Sequence, residues 1–220
     1  LVGYTNSGKS TLFNQLSGAS VFAKNMSFAT LDPTIRAITL PLLGEVALVD
    51  TVGFITDLPT HLIDSFRATL EEAVHADLIV HVRDMSSDVA REQRDDVMDI
   101  LAKLERDTGQ DLPPILEAWN KMDRVEEAPA NILNQRAKDL ADADETVCPV
   151  SALKGQGIDA LLAEIEKLIL ASALRVEVCL APKEGKARAW LHRQGEILEE
   201  IYQDNGDVSL TLRITPHKMG

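Results

Sequence analysis

The chain has only two cysteines, Cys148 and Cys179, and neither sits in a CxxC pair. That argues against a disulfide framework or a thiolate zinc site and fits buried free thiols in a reducing compartment. The five histidines show no HxxxH-type spacing, so no transition-metal site is expected. No apolar run approaches the roughly 18 residues a membrane-spanning helix needs. No secretory leader is expected, and the first residue is Leu1 rather than methionine. Only Leu1 and Val2 precede the first glycine, so the reading is of a fragment cut within its first strand. Positive charge is scarce: the net charge is -13. Residues 173–220 hold seven Lys/Arg and seven Asp/Glu, so residues 1–172 carry the whole deficit. An acidic unit of this kind is not itself a non-specific nucleic-acid binder.

What is present is ordinary in bulk and specific in detail. The 220 residues suffice for one well-buried domain and a small appendage. Hydrophobic patterning alternates steadily between strand and helix. Helices are expected over Lys9–Leu16, Thr60–His75, Asp88–Arg106, Ala130–Leu140 and Ile158–Leu170. Strands are expected at "IRAITLPL", "EVALVD", "ADLIVHVRD", "PPILEAWN" and "ETVCPVS". The first two are joined through Leu43–Gly44 as a hairpin. Alternating strands and helices mean an α/β fold, a mostly parallel six-stranded sheet with one antiparallel edge strand and helices on both faces. After Ser172 the pattern changes. "LRVEVCLA" and "VSLTLRIT" read as half-exposed strands around a helix over Glu184–Tyr202, a small β-α-β unit. The expected domains are residues 1–172 and 173–220.

In parallel sheets, ligands bind at the carboxyl ends of the strands, so the residues that follow each strand matter most. After the first comes "GYTNSGKST", which fits G-x-x-x-x-G-K-[ST]. Gly3, Tyr4, Thr5, Asn6, Ser7, Gly8, Lys9, Ser10 and Thr11 would form a loop whose N–H groups face a polyphosphate at a helix N-terminus. Lys9 would reach the β- and γ-phosphates, and the Ser10 hydroxyl would ligate Mg²⁺. After "EVALV" comes Asp50-Thr51-Val52-Gly53. Its aspartate suits Mg²⁺ held through water, and its glycine N–H suits the γ-phosphate. After "PPILEAW" comes Asn120-Lys121-Met122-Asp123. The Asp123 carboxylate would accept two hydrogen bonds from guanine N1–H and its amino group, a pair adenine does not offer. Loss of such a pairing costs on the order of 2–5 kcal/mol. Asn120 would tie this loop to the phosphate loop, and the Lys121 stem would lie over base and ribose. After the last strand of the first domain, Ser151-Ala152-Leu153 forms a turn placed to offer an N–H to guanine O6. Between Ser17 and Thr34 a threonine, Thr30 or Thr34, would close on Mg²⁺ as a switch. Trp119 is assigned to the core, and Arg67 and Arg83 to surface or helix-face roles.

Together these motifs resemble the P-loop GTPases of the translation-factor-related class. "GYTNSGKSTLFNQL", "FATLDPT", "DTVGFITDLP", "SFRATLEEA" and "NKMD", with the tail "EGKARAWLHRQGEILEEIYQDNGDVSLTLRI", are similar to the HflX family of ribosome-associated GTPases. The resemblance covers nearly the whole chain. It implies a Ras-like GTPase domain with "FATLD", residues Phe28, Ala29, Thr30, Leu31 and Asp32, as its first switch. Thr30 then joins Ser10 as Mg²⁺ ligand. It also implies binding of GTP and GDP, GTP hydrolysis stimulated by the large ribosomal subunit, and in some members the splitting of stalled or idle ribosomes. The family's N-terminal domain has no counterpart in these residues. A cytoplasmic monomer, with at most peripheral membrane association, is expected.

Phe54 follows Gly53 where Ras-like enzymes place a water-orienting glutamine, so slow intrinsic hydrolysis is expected. Related GTPases that lack the glutamine often carry an asparagine at the Asn6 position and hold K⁺ with it. Lys9, Thr30, Gly53 and Asn6 are therefore the catalytic candidates. The competing reading is an Obg- or Era-type GTPase switch in ribosome assembly or RNA binding. The absence of a GXXG loop from the tail counts against Era's RNA-binding module. Asp123 counts against an ATP-using relative.

Overall fold

The structure is a computed structural model, and it describes residues 1–18, 34–51, 53–54, 73–141, 146–194, 196–203 and 206–214. The candidates Phe28, Ala29, Thr30, Leu31, Asp32, Val52 and Arg67 lie outside these residues, as does most of the helix expected over Thr60–His75.

The described strands are β1 (Thr34–Leu40), β2 (Gly44–Asp50), β3 (Ile79–Asp84), β4 (Ile115–Asn120), β5 (Val147–Pro149), β6 (Leu174–Leu180), β7 (Glu196–Tyr202) and β8 (Val208–Ile214). The described α-helices are α1 (Lys9–Ser17), α2 (Ala90–Thr108), α3 (Glu127–Ala141), α4 (Ile158–Ser172) and α5 (Gly185–Gln194). β1 and β2 form an antiparallel hairpin, while β3, β4 and β5 run parallel. The opening segment joins the two groups. Val2 bridges His81 of β3 in parallel, with Val2 N donating to Val80 O and Val82 N to Val2 O. On its other side Thr51 N donates to Leu1 O, and Tyr4 bridges Phe54. The opening segment thus links the β1–β2 hairpin to the parallel β3-β4-β5 sheet in the order β1-β2-opening segment-β3-β4-β5, with β1 at the antiparallel edge, the arrangement of a Ras-like domain.

β3 shows why both faces are covered. Successive strand residues point to opposite sides. Val80 and Val82 join a core with Leu12 and Phe13 of α1 and Leu161 and Ile165 of α4. Ile79 joins the opposite core, with Val97 and Leu101 of α2, Tyr4 and Phe54. Both faces of the strand are covered, as a central parallel strand requires, although His81 and Arg83 share the face of Ile79. At the far end of the hairpin, Glu166 of α4 accepts hydrogen bonds from Leu42 N at 2.5 Å and Leu43 N at 3.0 Å. Those bonds clamp the β1–β2 turn onto the helix that leads to the tail.

The tail corrects one expectation. The helix expected over Glu184–Tyr202 is two elements: α5 ends at Gln194, and Glu196–Tyr202 is strand β7. The unit is β-α-β-β, with sheet order β6-β8-β7 and all pairs antiparallel. The physical reason is pairing. β8 offers a free edge, and the β7 backbone is satisfied there along a ladder from Glu196–Arg213 to Tyr202–Val208. That tertiary pairing overrides the helix preference of a glutamate-rich segment. Leu180, Leu191, Val208, Leu210 and Leu212 form its own core. A second correction concerns the thiols. Both are free, but only Cys148 is buried, its thiol pushed up to about 11 by burial; Cys179 is exposed.

Candidate functional site

The phosphate loop lies between the opening segment and α1, and its backbone explains its composition. Gly3 has φ +145, and a Cβ there would run into Val82 O. Gly8 has φ +95, and a Cβ there would strike the Asn120 side-chain amide. Only glycine fits both places. Asn6 adopts φ 61, a left-handed conformation that asparagine tolerates better than most residues. The residue is exposed.

Lys9 is 6% exposed and donates to Gly3 O and Tyr4 O, each at 2.9 Å. Burial pulls its pKa down to about 8, against the opposing pull of Asp50. A nearly dry ammonium at the loop's centre is poised for an anion, since a phosphate would replace the hydration it has lost. Ser7 is 1% exposed, and its Oγ is buried with no hydrogen-bond partner among the described residues. An orphaned hydroxyl buried in this loop is a position that a bound oxyanion would satisfy.

The Asp50–Gly53 segment packs directly against this loop. Asp50 is 2% exposed at the end of β2. A Cβ on Gly53 would lie 2.8 Å from Lys9 Nζ and 2.9 Å from Thr5 Cγ2, so this close approach also demands glycine. The next residue, Phe54, donates its N–H to Gly3 O at 3.0 Å and accepts from Thr5 N at 2.7 Å. Its ring is 1% exposed and belongs to the α2-side core. It therefore takes no place beside the phosphates. Tyr4 fixes the loop from the same side, its hydroxyl donating to Asp96 of α2 at 2.6 Å.

The Asn120–Asp123 loop is tied to the Gly3–Thr11 loop by one amide side chain. Asn120 Nδ2 donates to Ser7 O at 2.9 Å, and Asn120 Oδ1 accepts from Ala152 N at 3.0 Å. One buried side chain thus joins all three loops. Ser151 Oγ donates to Asp123 Oδ1 at 2.6 Å, and Met122 N donates to Val150 O. These bonds hold the Asp123 carboxylate in one orientation. Of the amides in the Ser151–Leu153 turn, that of Ala152 is committed to Asn120. The structure therefore brings together Gly3–Thr11, Asp50, Thr51, Gly53, Asn120–Asp123 and Ser151–Leu153.

Hard oxygen donors in reach of the phosphate loop are the Ser10 hydroxyl and the Asp50 carboxylate, a set that suits Mg²⁺ rather than a softer metal.

Three features were not found from the sequence. Lys121 holds φ 63 and pairs with Asp84 at 2.6 Å. Asp84 ends β3, so the rule of inspecting each strand's carboxyl end would have found it. Glu117 of β4 is a buried hub. It accepts from Arg83 Nη1 at 2.5 Å, Arg94 Nε at 2.5 Å and Trp119 Nε1 at 2.8 Å. Burial pushes its pKa up, but Arg83 and the hydrogen bonds outweigh burial and hold the carboxyl at about 2. Arg83 is the third, and it overturns the surface assignment. Its side chain is 9% exposed, and its guanidinium lies 5.7 Å from the Trp119 ring centroid. It is buried because β3 points residue 83 inward beneath α2, where Glu117 compensates the charge.

Comparison with known proteins fits this geometry. The profile of the family described as "50S ribosome-binding GTPase" matches residues 1–121, and that of the "HflX C-terminal domain" matches residues 134–219. The GTPase HflX of Magnetococcus marinus is 39% identical over 220 residues, covering 100% of this chain and 48% of the relative. The chain therefore spans about half the length of that relative. A solved structure of SsGBP with GDP is similar at 31% identity and TM-score 0.56, covering 76% of this chain and 48% of that one. Era bound to MgGDPNP and a 16S ribosomal RNA segment is similar at 25% identity and TM-score 0.60, covering 76% of this chain and 54% of that one. Profile matches on both parts of the chain, together with the relative at 39% identity over the whole of this chain, place it in the 50S ribosome-binding GTPase family, as a member of the HflX group.

Proposed function

We propose that this chain binds GTP and GDP, hydrolyses GTP, and cycles on and off the large ribosomal subunit in step with its nucleotide. The observation that carries the reading is the Asn120 side chain, which bonds the phosphate loop at Ser7 O and the Ser151–Leu153 turn at Ala152 N. A loop that reads a base has no reason to be welded to a loop that holds phosphates unless one nucleotide spans both. Asp123 selects guanine. Lys9 neutralises the β- and γ-phosphates, and the Gly53 N–H holds the γ-phosphate. Ser10, with Thr30 from the first switch, would hold Mg²⁺, and Asp50 would support it. When bound, the ion offsets charge that develops on the β- and γ-oxygens.

Phe54 leaves the attacking water without a side-chain orienter, so intrinsic turnover is slow and the ribosome supplies the missing order. Asn6, exposed in the loop, would hold K⁺, which would do part of an arginine finger's electrostatic work. The nucleotide domain spans residues 1–172 and the tail domain 173–220, a division supported by the tail's separate core. We place the protein in the cytoplasm as a monomer, with at most peripheral membrane association. Its ribosome cycle serves the rescue or splitting of stalled or idle ribosomes.

The test is GTP turnover with and without large ribosomal subunits, in KCl and in NaCl. The expected result is slow turnover alone, stimulation by the subunits, and faster turnover in KCl. Equal rates in the two salts would remove the K⁺ assignment. Absence of turnover under every condition would remove the enzymatic reading.

A further inference from the structure

We infer that Asp84 is a positioning residue for guanine nucleotide. It acts by fixing the Lys121 stem between the base-reading loop and the phosphate loop. This rests on the proposed nucleotide site and assigns one more residue to it. Asp84 and Lys121 sit at the ends of neighbouring parallel strands, and Asp84 pairs in register with Asn120. The backbone is joined there as well, with Met85 N donating to Asn120 O at 3.0 Å.

The carboxylate is aimed. Its Oδ1 accepts from Ser86 N at 3.0 Å and Ser86 Oγ at 2.6 Å, which leaves Oδ2 for Lys121 Nζ at 2.6 Å. The pair is largely shielded, with side-chain exposures of 19% for Lys121 and 17% for Asp84. Between its strained backbone and this anchor, the lysine stem passes the phosphate loop. A Cβ built on Gly8 would lie 3.9 Å from Lys121 Cε.

Three consequences follow from this path. First, the ammonium is neutralised by Asp84, so Lys121 contributes its methylenes as an apolar floor rather than its charge to the phosphates. Second, a left-handed lysine is an unfavourable backbone state, and the ion pair offsets it. Third, without Asp84 the lysine would regain rotamer freedom, which nucleotide binding would then have to remove again. Asp84 touches Lys121 and Ser86 by hydrogen bond, so it acts on the nucleotide through the lysine.

The experiment is a double-substitution cycle on the full chain, reading dissociation of a fluorescent GDP by stopped flow. The four proteins are the unsubstituted chain, Asp84→Asn, Lys121→Ala and the double variant. Asp84→Asn should speed GDP release about tenfold in the native background and less than about twofold beside Lys121→Ala, because directly coupled residues are not additive. A merely structural role would give multiplying effects in the double variant. Asp84→Glu should restore part of the slow release. Ser86→Ala, which keeps both charges and disturbs only the aim, is the second variant should Asp84→Asn fail to fold. It should speed release about two- to threefold in the native background only. Native release rates in Asp84→Asn, or fully multiplying effects, would overturn this inference alone. Failure of the unsubstituted chain to bind GDP would overturn the nucleotide site and this inference together.

Discussion

Glu117→Gln tests the physical account at its most loaded point. The substitution keeps the side chain's shape and removes one buried negative charge. Three donors converge on that carboxylate: Arg83, Arg94 and Trp119. Arg94 is 36% exposed and can turn to water, whereas the Arg83 side chain is 9% exposed and cannot. Breaking a buried pair by removing one partner costs about 3–5 kcal/mol, because the other charge is left uncompensated. The titration leads to a similar figure. A carboxyl held at about 2 instead of 4.5 contributes about 3 kcal/mol to stability. The sign follows from the depressed value: the contribution is present above pH 4.5 and is lost as pH falls toward 2. Denaturant unfolding at neutral pH should therefore show a loss of about 3 kcal/mol, a large part of a typical total of roughly 5–15 kcal/mol. Adding Arg83→Met should recover most of it, since the orphaned charge is then gone and the Gln oxygen still serves Trp119. A loss below about 1 kcal/mol, or no recovery in the pair, would refute the claim that Glu117 exists to compensate Arg83.

Three further outcomes follow from the same structure. Gly8→Ala should abolish GDP binding while leaving most of the fold, because a Cβ at φ +95 meets the Asn120 amide that joins the loops; calorimetric titration reads it, and native affinity would contradict the geometry. Lys9 has a lowered pKa of about 8, so above that pH the free protein loses the charge that phosphate needs. GDP affinity should thus be flat below about pH 7.5 and fall toward tenfold per pH unit above pH 8, by proton linkage. His81 is buried, and burial holds its pKa at about 4, so the unfolded chain takes up its proton first. Stability should drop as pH falls from 6.5 through 4, by up to about 3 kcal/mol, and His81→Gln should flatten that limb of the unfolding profile.

The nucleotide domain was legible because its signals are local and redundant. The opening segment, β2, β4 and β5 each run into a short motif whose residue types suit one shared use, and the helix and strand periods on either side agree with it. The tail was less legible because its decisive contact is not local. "EILEEIY" carries three glutamates and could continue the preceding helix; Gly195 was the punctuation mark, and only the edge of β8 turns the segment into a strand. Arg83 was misplaced for a similar reason. A lone arginine in a strand reads as exposed unless its partner is known, and Glu117 stands 34 residues away. Asn120 could be assigned its bridging role from the motif, but its second bond, to Ala152 N, needed coordinates.

The central claim is that one guanine nucleotide spans the loops at Gly3–Thr11 and Asn120–Asp123. Competition binding in the presence of Mg²⁺, GTP and GDP against ATP, tests it most directly when run on this chain and on Asp123→Asn. The account predicts tight guanine binding with ATP excluded, and loss of that selectivity in Asp123→Asn, where an amide can no longer accept both guanine donors. Equal binding of ATP, or unchanged selectivity in the variant, would contradict it.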